Sequence, residues 1–294
     1  MKKIFSALAA VAAASTVFTA CQQAPQVAIP TSQLNRLRAA TQSPHHPDFE
    51  RKLRQGPAYR FTADANVSSI CGKNDLQHVN SYDGSLGQPV EFVAGRKSAV
   101  GALAQGSPDD SRKFCSGTLI GEDLFLTASH CIDKTITTKW AVFNYETAPG
   151  SSELLPQEHV KILEIVEDGR NLDYAILRLE GKPGLKYGFT PVRVALPENG
   201  HLLTIIQHPK GQPKQIEAGP MVGERGAYMQ YADLDTEPGS SGSGVIDKQG
   251  ALVGVHTLGG CYSTGGANQG VKMTEIVKVS KVVQALAVPP ARRR

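Results

Sequence analysis

Asp235-Thr236-Glu237-Pro238-Gly239-Ser240-Ser241-Gly242-Ser243-Gly244-Val245 is the stretch on which the reading of this chain turns. By composition it is a flexible Gly/Ser turn. Its order says more. A glycine at 239 lets the chain turn so that its N–H and that of Ser241 converge on one point, the geometry of an oxyanion hole. Gly242 leaves room beside the hydroxyl that precedes it. Ser240 and Ser243 offer competing hydroxyls, but only Ser241 has a glycine two residues before it and another directly after. Ser241 is therefore the candidate nucleophile.

A serine nucleophile needs a base and a group to orient that base. Thr127-Ala128-Ser129-His130-Cys131 follows the apolar run Leu124-Phe125-Leu126, so His130 stands at a strand end, exposed on a rigid support. In Asn171-Leu172-Asp173-Tyr174-Ala175-Ile176-Leu177 an acid opens an otherwise apolar strand. Asp173 is the candidate to hold the histidine tautomer and stabilise its imidazolium. Asp168, in the polar turn Glu167-Asp168-Gly169-Arg170, is the weaker choice.

Outward from these motifs, short apolar runs alternate with Gly, Pro and Asp punctuation. They occupy 98–103, 117–120, 124–127, 140–145, 160–166, 174–179, 202–206 and 251–256. Such spacing predicts an all-β barrel or sandwich. Apolar residues at Ile276, Val279, Val282, Val283 and Leu286 predict one helix over 274–287, stopped by Pro289-Pro290. The basic tail 289–294 reads as a solvated terminus. The net charge is +4 with no aromatic-interleaved basic stripe, so nucleic-acid binding is not expected. No His-Glu-x-x-His and no zinc-spaced Cys/His cluster occurs, so no metal and no organic cofactor are expected.

At the other end, Lys2 and Lys3 precede the apolar run 4–14, an export signal over residues 1–21 that is too short for a stable membrane span. Phe18-Thr19-Ala20-Cys21 resembles a lipoprotein box, with Cys21 as the lipidated residue. The expected location is exported: an outer-membrane-anchored lipoprotein, periplasmic or extracellular, touching membrane only through that anchor. Removing Cys21 from the five cysteines leaves an even four, suited to an oxidising compartment. Residues 22–95 read as a pro-segment or linker followed by an N-terminal arm, and 96–288 as the main domain.

His130 in Thr-Ala-Ser-His-Cys, Asp173 in Leu-Asp-Tyr-Ala-Ile-Leu and Ser241 in Pro-Gly-Ser-Ser-Gly-Ser, in that order, resemble the trypsin/chymotrypsin superfamily of serine proteases. The order excludes subtilisins and α/β-hydrolases, and Ser243 breaks the Gly-x-Ser-x-Gly pattern of the latter. The resemblance covers 96–288. It implies two antiparallel six-stranded β-barrels with a C-terminal helix and a catalytic triad in the cleft between them. It also implies hydrolysis of protein or peptide substrates through an acyl-enzyme, with an oxyanion hole at Gly239 and Ser241. A disulfide Cys115–Cys131 follows from the family motif. Cys71–Cys261 is expected because two cysteines then remain.

Within the superfamily the chain most resembles bacterial glutamyl endopeptidases, which share the Gly-x-Ser-Gly-Ser loop. Gly244 replaces the usual Pro. Ser240 stands where trypsins carry the acid that pairs with their new N-terminus, so that activating salt bridge cannot form. His256 matches the histidine with which glutamyl endopeptidases contact a substrate carboxylate. Thr236, Thr257 and Gly259 join it as expected pocket residues. Asp235, six residues before Ser241, instead matches the acid that recognises Lys or Arg in trypsins. The reading leans to cleavage after Glu or Asp, with cleavage after Arg or Lys, an esterase, and an inactive protease-like binding protein as alternatives.

Overall fold

The computed structural model describes residues 69–262 and 265–287. The export signal, Cys21, most of the linker and the basic tail lie outside the described residues.

The first barrel is built from β2 (Val100–Gln105), β3 (Arg112–Leu119), β4 (Leu124–Thr127), β5 (Trp140–Phe143), β6 (Glu158–Gly169) and β7 (Tyr174–Leu179). Its order is β2-β3-β4-β7-β6-β5, closed by pairing of β5 with β2. Inward side chains fill it, among them Leu103, Leu119, Phe125, Phe143, Ile162 and Leu177. Phe125 and Phe143 meet edge to face at 5.9 Å, a favoured arrangement of ring quadrupoles.

The second barrel comprises β8 (Leu202–Gln207), β9 (Gln215–Arg225), β10 (Tyr228–Tyr231), β11 (Gly244–Ile246), β12 (Leu252–Leu258) and β15 (Asn268–Lys272). Its order is β9-β10-β15-β12-β11-β8, closed by β8 against β9. The hairpin β13 (Cys261–Tyr262) and β14 (Gly265–Gly266) projects beside it. Leu203, Ile205, Met229, Tyr231, Val245 and Val253 form its interior. The two antiparallel six-stranded barrels are those expected. Strands β9 and β10 carry no legible alternation because most of their residues on both faces are buried, which erases the period-two signal.

The segment 69–95 wraps the second barrel. Its β1 (Gln77–His78) pairs with β9 at Ile216 and Gln215, and α1 (Val90–Ala94) follows. Tyr82, Leu86 and Val93 are buried with Val100, Leu202, Ile206 and Ile216.

The C-terminus departs from the expected continuous helix. It forms two short pieces, α3 (Met273–Ile276) and α4 (Lys281–Leu286); α2 (Pro183–Tyr187) precedes them in the first half. Ser280 breaks the run, because its side chain accepts the Val283 amide at 3.0 Å and so starts a new helix. Val279, counted on the apolar face, is 62% exposed at the break. Met273, Ile276 and Val283 pack with Leu126, Tyr174, Ile176 and Val255, so these helices cover the seam between the barrels.

Lys214 and Glu146 add a buried ionic link across the same seam. Lys214 is fully buried, 2.9 Å from Glu146, which also takes Lys97 at 2.6 Å. Burial alone would raise the Glu146 carboxyl, but the charges and hydrogen bonds of Lys214 and Lys97 outweigh it and hold the pKa at about 2.

Candidate active site

His130 sits in a single helical turn, Ser129–Cys131, directly after β4. Asp173 immediately precedes β7, which pairs with β4. That pairing brings the two residues together although 43 positions separate them in the chain. Asp173 adopts φ 58°, a left-handed conformation that Asp tolerates better than most residues. Its Oδ2 lies 2.7 Å from His130 Nδ1, and its Oδ1 accepts the His130 backbone amide at 2.9 Å. Asp168 is engaged elsewhere, accepting from the Ser129 hydroxyl and from Arg170.

The serine loop closes against this unit. The Ser241 carbonyl accepts the Ser116 amide at 2.9 Å, and the Cys131 sulfur lies 3.7 Å from the same oxygen. Cys131 is bonded to Cys115, so the bridge ties the histidine turn to β3 beside the loop. Of the three loop hydroxyls, Ser240 and Ser243 are fully buried, whereas Ser241 retains 9% exposure. Ser240 Oγ accepts the Glu237 amide at 3.0 Å, so it shapes the turn.

Two glycines are required by geometry. Gly239 has φ 102°, and a Cβ there would stand 2.6 Å from the His208 carbonyl. Gly242 has φ 87°, and a Cβ there would collide with Thr127 Oγ1 and the Ser116 carbonyl. Among the described residues the amides of Gly239 and Ser241 have no acceptor, which leaves two donors at the turn. Gly244 begins β11, where a Cβ would strike the Leu252 side chain. Its place in the sequence thus reflects close packing.

Ser116 escaped the reading of the sequence. Its Oγ donates to the Gly239 carbonyl at 2.8 Å and accepts the His208 amide at 2.9 Å, fixing the turn at Gly239. Nothing local marks it, apart from its position beside Cys115. Tyr231 also escaped. Its hydroxyl lies 2.6 Å from His256 Nδ1 across the barrel.

Of the expected pocket residues, His256 and Thr257 lie on β12 and Gly259 just after it, while Thr236 and Gly259 both meet Ser69. His256 is buried, and burial pushes its pKa down to about 3, so the ring is neutral near neutral pH. Thr236 and Thr257 are fully buried, with hydroxyls lacking a partner among the described residues. The Thr236 amide donates to the Ser69 carbonyl at 3.0 Å, and a Cβ on Gly259 would clash with the Ser69 side chain. Asp235 is 1% exposed and turned to the N-terminal segment: Oδ1 accepts the Cys71 amide at 2.6 Å. Cys71 is bonded to Cys261 in β13.

Fold and site together define a serine endopeptidase. Residues 115–255 match the trypsin-like peptidase domain. No curated protein matches the chain significantly. A solved serine endoprotease from Yersinia pestis is similar at 18% identity and a TM-score of 0.50, over 66% of this chain and 65% of that one. A Glu endopeptidase in complex with MPD aligns at 21% identity and a TM-score of 0.48, over 69% of this chain and 93% of that one. The HtrA-type protease AlgW with a tripeptide aligns at 18% and 0.46, over 64% and 60%. At 18% identity the likeness to the Yersinia pestis endoprotease concerns the fold alone.

Proposed function

We propose that this chain is an exported endopeptidase that cleaves peptide bonds after Glu or Asp. Ser241 attacks the carbonyl carbon and forms the acyl-enzyme. His130 takes the hydroxyl proton and delivers it to the leaving amine. Asp173 orients His130, and the Gly239 and Ser241 amides receive the oxyanion. Water then attacks the acyl-enzyme by the same route. The carrying observation is the 2.7 Å His130–Asp173 pair, packed beside the one loop serine that is not fully buried.

The preference for an acidic side chain rests on His256 and Thr236. The Tyr231 hydroxyl lies 2.6 Å from Nδ1; the neutral tautomer that accepts there carries its proton on Nε2 and can donate it to a carboxylate. The unpartnered Thr236 hydroxyl is a second donor. Two neutral donors in a buried pocket suit an anion that brings its own charge. Cleavage after Arg or Lys would require Asp235 to leave the Cys71 amide. Export, and a lipid anchor at Cys21, rest on the leader sequence and agree with two disulfides.

The test is labelling with a serine-directed fluorophosphonate, followed by a peptide panel varied only before the scissile bond. Labelling with Glu or Asp preference supports the reading. Absence of labelling in the mature protein would assign it to an inactive binding domain.

A further inference from the structure

Three carboxyl groups meet where the N-terminal segment crosses the second barrel. Asp75 comes from the turn after Cys71, Glu217 from β9, and Asp235 from the approach to the serine loop. Each offers an oxygen, and these oxygens all lie within 4.8 Å of one another. Glu217 is 0% exposed and Asp235 1%. Glu217 Oε1 accepts the Ala218 amide at 2.9 Å, while its Oε2 meets no N–H donor among the described residues. Among the described residues no lysine or arginine pairs with Glu217 or Asp235. An orphaned carboxylate oxygen buried against two other acids is costly unless something positive neutralises it.

We propose that Asp75, Glu217 and Asp235 hold a calcium ion that fastens the N-terminal segment to the loop leading to Ser241. Three carboxylate oxygens from separate elements call for a hard cation of flexible coordination. Calcium takes oxygens at about 2.3–2.6 Å in flexible geometry, so opposite ligands stand about 5 Å apart; magnesium demands about 2.0–2.1 Å and regular octahedra. The backbone hydrogen bonds leave Asp235 free to ligate through Oδ2, whose contact with the Asp75 amide is stretched to 3.4 Å. The ion joins the N-terminal segment, β9 and the approach to the serine loop at one point. It supplements the Cys71–Cys261 bridge and steadies Asp235, six residues before the nucleophile. The rival for the same geometry is a proton shared between carboxyls, which needs no ion.

The test uses the full chain carrying Ser241→Ala, so that autolysis cannot intrude and activity is not the readout. At about pH 8, where free carboxyls are ionised, Tm is measured in EDTA, in CaCl2, in MgCl2 and in NaCl of matched ionic strength. Calcium well above its dissociation constant should raise Tm by about 5 °C or more, with a smaller response to magnesium and none to sodium. Calorimetric titration should give one site. Asp75→Asn, on a partly exposed turn, and Glu217→Gln should each abolish the calcium shift. Lack of a calcium shift in the parent, or a shift retained in Asp75→Asn, overturns the proposal. So does a parent indifferent to calcium whose Glu217→Gln variant melts higher in EDTA, since that outcome assigns the cluster to a shared proton.

Discussion

Asp173 grips His130 at two points, taking the backbone amide on Oδ1 at 2.9 Å and facing Nδ1 with Oδ2 at 2.7 Å. The first contact fixes the turn, and the second selects the tautomer with its lone pair on Nε2. Asp173→Asn keeps the shape but can present an NH2 to Nδ1 and stabilise the wrong tautomer. We expect kcat to fall on the order of 10⁴-fold with unchanged circular dichroism. Turnover normalised by active-site titration checks this, and a loss below tenfold would return Asp168 to consideration.

Ser241→Ala should abolish fluorophosphonate labelling and lower turnover by on the order of 10³-fold or more. Ser243→Ala removes a hydroxyl that is fully buried and has no partner, so labelling should survive. The reverse pattern would show that the wrong hydroxyl was chosen.

For specificity, His256→Ala and Thr236→Val should each reduce kcat/KM for Glu and Asp peptides by about tenfold or more while sparing labelling, each removing a charge-assisted donor. Asp235→Ser should leave side-chain preference unchanged, because its carboxylate faces Cys71 and Asp75. Selectivity for Arg or Lys that disappears in Asp235→Ser would overturn the acidic reading.

Replacing Cys71 and Cys261 together by Ser should destabilise the protein more than replacing Cys115 and Cys131. The first bridge closes 190 residues and the second 16. The chain-entropy argument assigns about 5 kcal/mol to the longer loop and about 3 kcal/mol to the shorter. Urea denaturation of the two variants in a Ser241→Ala background checks the order.

Stability should respond to pH in two opposed ways. Burial holds His208 and His256 at about 3, below the ordinary histidine value of 6.5. The unfolded chain therefore binds protons that the fold refuses as pH drops from about 6.5 towards 3, and stability falls. Burial raises Glu217 and brings Asp235 to about 7. The fold then keeps protons that the unfolded chain releases, so stability falls as pH rises from about 4 through 7. Between about 4 and 6.5 the two effects cancel in part. Below about 4 the histidines act without that offset, and Glu146, held at about 2, is lost as well. Unfolding free energy in EDTA should be nearly level across the middle window and drop steeply below it. A steady decline from pH 6.5 to 4.5 would contradict these assignments.

The sequence by itself marked the candidate nucleophile, base and orienting acid, because each needs a short local frame. A glycine must flank Ser241 to leave space, His130 must end an apolar strand, and Asp173 must open one. The short apolar runs likewise announced an all-β fold. What it could not give depends on residues far apart in the chain. Ser116 and Tyr231 act across strands on Gly239 and His256, and no local pattern links them. Asp235 looked like a pocket acid until folding placed Cys71, 164 positions away, against its carboxylate. Barrel closure decided these points, because it sets which distant side chains are buried together, and burial determines whether a carboxylate is a ligand, a cap or an unmet charge. The C-terminal break is local: apolar periodicity promised one helix, but the Ser280 side chain capped a second one.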